Sequence, residues 1–284
     1  MIMQWLIEPL TYSFMQRGFL AAIMVGILCA VIGCYVVLRG MAFLGDAMAH
    51  AILPGVAIAY LLKGNLLVGA LIAAVVVALG ISLFSKNGTI KEDTAIGIFF
   101  AAALSLGIAL ISGIRSYAVD LSHILFGNVL GVSINDLWMT GILSLIVIAA
   151  IIILYKPFMV ISFDPILAGT LRMPANLLRS LLLVLIALTV VVSMQTVGVG
   201  LVAAMLVTPG ATAYLLTRRL SRMLFISALI GGLASIAGLY LSFYLNIASG
   251  AAIVLCATFM FVVAYIFAPE KGIIHLRNQR SRGQ

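Results

Sequence analysis

Charge is scarce in this chain. Of 284 residues only 8% are Asp, Glu, Lys or Arg, with eight acids and three histidines, while 64% are apolar. A soluble domain of this length needs far more polar surface, so the scarcity excludes a soluble fold, and a mean hydropathy of +1.29 agrees. Cysteine is equally sparse. Cys29, Cys34 and Cys256 show no Cys-x-x-Cys or Cys/His ligand spacing, which leaves them as small packing residues and not a disulfide framework or a thiolate metal centre. Cys29 and Cys34 would be separated by about 7.5 Å of helical rise, too far for a bridge. No Gly-x-x-x-x-Gly-Lys-Ser/Thr loop is present, so the chain cannot itself cradle nucleotide phosphates. A His-Glu-x-x-His pair is missing too, which argues against an intramembrane metalloprotease. Period-2 alternation of the kind a membrane barrel needs is not seen.

What the chain has instead is long apolar helix. Windows of helical composition fall near 18–38, 41–62, 66–84, 94–114, 136–154, 177–196, 199–217, 224–244 and 248–267. Backbone groups in hydrocarbon must satisfy one another, so the expected fold is all-α: one polytopic transmembrane bundle of about eight or nine spans occupying residues 1–284. The segments between spans leave no room for a separate soluble domain. Glu8, Pro9, Gln16 and Arg17 interrupt the N-terminal region, and no removable signal peptide is expected.

Thirteen of the sixteen basic residues fall at one side if the N-terminus is outside the cell membrane, leaving only Arg17, Lys63 and Arg115 on the other. This bias predicts a cytoplasmic C-terminus, with the basic tail of about 270–284 lying against lipid headgroups or a partner. The net charge of +8 is then a matter of topology, and no nucleic-acid partner is expected. Small residues at four-residue spacing, Ser227/Gly231/Ser235 and Ala228/Gly232 followed by Gly238, suit close helix packing, within the bundle or else at a homodimer seam.

Against this background Asp46 and His50 stand out. They lie one turn apart in an apolar span, where a charged group costs about 2.5–3.5 kcal/mol and so needs a partner, a water-filled path or a cation. Spacing of four puts Asp46, His50 and Pro54 on one stripe, and Pro54-Gly55 should loosen the helix there. Mixed oxygen and nitrogen donors suit Mn²⁺, Fe²⁺ or Zn²⁺. One chain offers only two ligands, but a two-fold dimer with the stripe on its axis would offer two Asp and two His. The alternative is that both side chains merely hydrogen-bond neighbouring helices.

The run from Leu38-Arg39-Gly40-Met41 to Gly45-Asp46-Ala47-Met48-Ala49-His50-Ala51-Ile52-Leu53-Pro54-Gly55-Val56 resembles the membrane permease of ABC-type manganese, zinc and iron importers. So do Lys91-Glu92-Asp93-Thr94-Ala95-Ile96-Gly97-Ile98, the stretch Asp120 to Asn128, and Gln195-Thr196-Val197-Gly198 leading to Thr208-Pro209-Gly210. The resemblance implies a homodimeric permease, a cytoplasmic ATP-binding subunit that hydrolyses ATP, and an extracellular metal-binding protein that delivers the ion. It implies that Asp46 and His50 coordinate a transported ion, with no permanently bound cofactor. The Asp120–Asn128 stretch looks more like the manganese branch, which favours Mn²⁺ over Zn²⁺ or Fe²⁺.

Three further expectations concern other segments. Asp120 and His123, three residues apart, form either a second metal station or a contact for the delivering protein, or Asp120 caps a helix. Gln195, Thr196 and Thr208-Pro209 line the path, or Pro209 is a packing kink. Asp164-Pro165 is a helix start, so a short helix up to Pro174 should carry Phe163, Ile166, Leu167 and Leu171. By resemblance, Asp164, Pro165, Ile166, Leu167, Gly169 and Arg172 belong to the element that couples to the ATPase; a turn lying on the membrane surface is the alternative. An ATP-independent carrier is the competing function, but the other seven acids all sit near span ends or loops and not within spans.

Overall fold

The computed structural model describes residues 7–86, 88, 90–112 and 129–268. Twelve α-helices follow one another among these residues: α1 Ser13–Leu38, α2 Leu44–Ala51, α3 Leu53–Leu61, α4 Leu66–Ser85, α5 Glu92–Ser112 and α6 Ile134–Ile153, then α7 Tyr155–Phe163, α8 Pro165–Thr170, α9 Ala175–Val197, α10 Val199–Leu216, α11 Leu220–Leu245 and α12 Ser249–Phe267. No strand occurs among the described residues. Among the described residues nine spans are long and apolar enough to cross a membrane, with α2 and α3 forming one span between them.

Helix α1 is the hub. It packs against α11, α10, α6 and α9, and its residues from Leu28 to Val36, the partly buried Val31 apart, are almost wholly inaccessible. Glycine permits these approaches: a Cβ on Gly33 would strike the Leu206 carbonyl of α10, and one on Gly26 would meet the Gly231 carbonyl of α11 at 2.8 Å. The small-residue stripe of α11 therefore packs inside this chain. Ser227 Oγ donates to the Ala30 carbonyl at 2.8 Å, tying the same seam with a hydrogen bond.

Chain entry into α2 depends on one glycine. After the Arg39 cap, Gly40 takes φ +69°, the Gly40 amide donates to Val37 O and the Met41 amide to Val36 O. This is a Schellman closure, which satisfies the last carbonyls of α1 and turns the chain straight into α2. The second span breaks at Ile52, two residues ahead of Pro54, because the proline ring cannot tolerate a helical carbonyl one turn back.

Pro54 follows the break at Ile52 and is buried against α5, where a Cβ on Gly107 would lie 3.2 Å from its nitrogen. One feature differs from the sequence expectation. Between α6 and the short helix α8 there is an additional helix, α7, with Pro157 in its first turn and Phe158 buried edge-on against Tyr35 at 5.9 Å.

Candidate functional site

Helix α2 buries Leu44, Gly45, Ala47, Met48, Ala49 and Ala51, so only one narrow side stays open. Asp46 and His50 occupy that side. His50 Nε2 lies 3.8 Å from Asp46 Oδ1, and the two side chains keep 30% and 44% of their surface exposed, His50 and Asp46 respectively. Gly45 makes this placement possible by resting on Ala203 and Leu206 of α10. Phe100 of α5 shelters the imidazole edge-on at 6.0 Å and itself meets Phe43 at 5.4 Å.

Two ligands on a divalent ion with bonds of 2.0–2.2 Å sit about 3.0–3.5 Å apart, so 3.8 Å needs only a small rotamer adjustment to chelate. Among the described residues no cluster of three or more His, Cys, Asp or Glu exists, so the pair forms an incomplete coordination sphere. The cysteines do not complete it: Cys29 is buried against Ser193 Oγ at 3.3 Å, and Cys34 bonds to the Ala30 carbonyl at 3.4 Å.

The remaining expected residues fall in different places. Asp120 and His123 lie outside the described residues. Gln195 and Thr196 belong to the backbone of α9, and their side chains are likewise outside the description. On α10, which stays helical through a buried Pro209, Thr208 is half-buried and its carbonyl accepts from Thr212 Oγ1 at 2.7 Å. Helix α8 starts as its Asp-Pro pair demands, with Asp164 Oδ1 accepting from the Leu167 amide at 3.0 Å. Phe163, Leu167 and Leu171 are exposed around it, and the chain leaves through Arg172 at φ +51°. Gly169 is exposed as well, while Pro165 and Ile166 contribute backbone to α8.

Sequence reasoning missed a second charged centre. Arg39 Nη2 donates to Glu92 Oε2 at 2.7 Å, Arg179 Nε lies 3.9 Å from Glu92 Oε1, and Arg179 Nη1 donates to the Ser85 carbonyl at 3.1 Å. The Arg39 and Glu92 side chains are only 7% and 15% exposed. Burial pulls the Arg39 guanidinium below its ordinary value, and the Glu92 carboxylate opposes that pull. Four elements meet here: the end of α1, the end of α4, the start of α5 and the second turn of α9. The sequence signal was slight, since Arg39 and Glu92 are 53 positions apart and each reads alone as a charge closing a span.

The ABC 3 transport family model matches residues 11–268. The manganese transport system membrane protein MntC of Halalkalibacterium halodurans is 50% identical over 277 residues, covering 97% of this chain and 95% of that protein. A probable iron transport system membrane protein of Haemophilus influenzae is 40% identical, covering 93% and 97% of the two chains. In three dimensions the chain resembles PsaBC from Streptococcus pneumoniae in complex with Fab, with a TM-score of 0.84, 40% identity, and 98% and 100% of the chains covered. The open carboxylate–imidazole pair in a nine-span bundle, together with a match running over nearly the whole length, makes this chain a member of the ABC 3 transport family.

Proposed function

We propose that this chain is the membrane permease of an ATP-driven importer of divalent transition metals, with Mn²⁺ the favoured cargo, and that Asp46 and His50 form its intramembrane metal station. The observation that carries the reading is the half-exposed pair on an otherwise buried helix. An acid left open at membrane depth faces water, a cation or another protein surface, since exposure to lipid is costly. A second copy related by a two-fold axis brings two Asp and two His together, and two carboxylates balance a divalent charge. The names of the manganese relatives support Mn²⁺, while the Haemophilus influenzae relative keeps Fe²⁺ as the second reading.

ATP hydrolysis resides on a separate cytoplasmic subunit in this reading. The apolar knob of Phe163, Leu167 and Leu171 around α8 docks into it, and closure of the ATPases shifts the helices so that the station faces one side and then the other. An extracellular metal-binding protein delivers the ion. The basic bias sets the N-terminus outside and the C-terminus in the cytoplasm.

The test is transport by the complex reconstituted with its ATPase and delivering protein, with Mn²⁺, Fe²⁺ and Zn²⁺ in competition. ATP-dependent Mn²⁺ uptake, abolished in Asp46→Asn and in His50→Ala while the assembly stays intact, is the expected outcome. Undiminished uptake by both variants removes the station.

A further inference from the structure

Next to the buried ion cluster lies a cavity of about 380 Å³ that no part of the transport reading uses. Arg39, Lys86, Lys91 and Arg179 line it against a single acid, Glu92. Glu92 is already engaged by Arg39 at 2.7 Å. Among the described residues Lys86 and Lys91 have no ion-pair partner and both are exposed. Arg39 Nη1 is buried without a hydrogen-bond partner in the same wall. The cavity is therefore strongly electropositive, and its residues belong to helix ends, at the level where headgroups begin.

A second, larger hollow of about 1130 Å³ opens off the first. It runs between α4 and α9, lined by Leu79, Leu83, Leu177, Leu181 and Val184, and it shares Lys86, Ala175 and Asn176 with the basic cavity. Leu79, Leu83 and Leu177 are 47%, 67% and 63% exposed, so nothing among the described residues covers the groove. The two helices are held together beneath it by Ser82 Oγ and Ser180 Oγ at 2.5 Å.

We propose that this joined pair of hollows is a binding site for an anionic phospholipid, with the phosphate beside Lys86, Lys91 and Arg179 and an acyl chain in the α4/α9 groove. Both halves of the ligand are specified. The excess of cations over acids selects a negative headgroup, and basic pockets between spans are a recurrent seat for such lipids. The leucine-lined groove continues from the same lysine into the apolar part of the span, which a free anion would leave empty. Gly169 and Met173, at the far end of α8 and just after it, line the same groove, so the bound lipid touches the segment that joins α8 to α9.

The purified, delipidated full-length chain would be titrated with phosphatidylglycerol or phosphatidylcholine in detergent, and bound lipid counted by native mass spectrometry. Retention of phosphatidylglycerol over phosphatidylcholine is expected. Lys86→Ser/Lys91→Ser should weaken it about thirtyfold, each lysine near a headgroup contributing about fivefold. Leu83→Trp, which fills the groove without touching charge, should also reduce retention. A Lys156→Ser/Arg222→Ser control removes two cations that line neither hollow, and should change retention less than threefold. Equal binding of the two lipids, an equal loss in the control, or full displacement by millimolar inorganic phosphate would each overturn the proposal. The first two would point to a diffuse field, the third to a free-anion site.

Discussion

Two charged centres among the described residues are built in opposite ways. At Arg39, Glu92 and Arg179 one carboxylate is held between two guanidinium groups of the same chain, with Arg39 and Glu92 largely buried and Arg179 part-exposed. At Asp46 and His50 the groups stand 3.8 Å apart, half-open, with no third ligand among the described residues. Both are reached from the same turn, since Gly40 links Arg39 to the helix that carries Asp46. The contrast teaches how to separate structural charge from functional charge in a bundle. Where a fold completes the coordination of an ion, the ion holds helices together. Where it leaves an acid and an imidazole open, they are available to a group from outside.

That contrast is breakable by substitution. The largest effect is expected from Glu92→Gln, which strands two guanidinium groups and should cost about 3–5 kcal/mol, seen as a collapse of thermal stability or of the monodisperse peak in detergent. Replacing the pair together, Arg39→Met with Glu92→Leu, should restore most of that loss, because it leaves only Arg179, which is part-exposed and keeps its bond to the Ser85 carbonyl. If Glu92→Gln were as stable as the parent, the cluster would not be the structural centre described here.

Asp46→Asn and His50→Ala should behave the other way round. Transport should fall at least about 100-fold while thermal stability moves by no more than about 0.5 kcal/mol, as for a half-exposed site without partners. A large stability loss in either variant would place the pair among the structural charges. The smallest effect belongs to the connecting turn. Gly40→Ala meets no neighbouring atom, so its cost of about 1–2 kcal/mol should come from the left-handed backbone alone and appear as a modest drop in unfolding temperature.

The spans were readable in advance because a bilayer sets a length that sequence must match with uninterrupted apolar residues. The windows near 18–38 and 224–244 correspond to Ser13–Leu38 and Leu220–Leu245. Asp46 and His50 were visible through rarity, and the start of α8 through its Asp164-Pro165 pair. The extra helix α7 was hidden because Lys156-Pro157, just past the window ending at 154, reads as a break, whereas a proline in the first turn of a helix gives up no hydrogen bond. The break in the second span was legible through Pro54, which cannot sit one turn after an undisturbed helical carbonyl.

Composition and periodicity alone thus determined a helical membrane protein of about eight or nine spans and the one acid–imidazole pair within a span, since hydrocarbon penalises every uncompensated polar group along the chain. Which charges are closed off and which remain open was decided only by tertiary packing. Arg39, Glu92 and Arg179 meet through helices distant in sequence, and α2 keeps its Asp46 and His50 uncovered because the rest of its surface is occupied by neighbouring helices. Local spacing carries no information about partners that far away, whereas pairing at 2.7 Å depends on where whole helices come to rest.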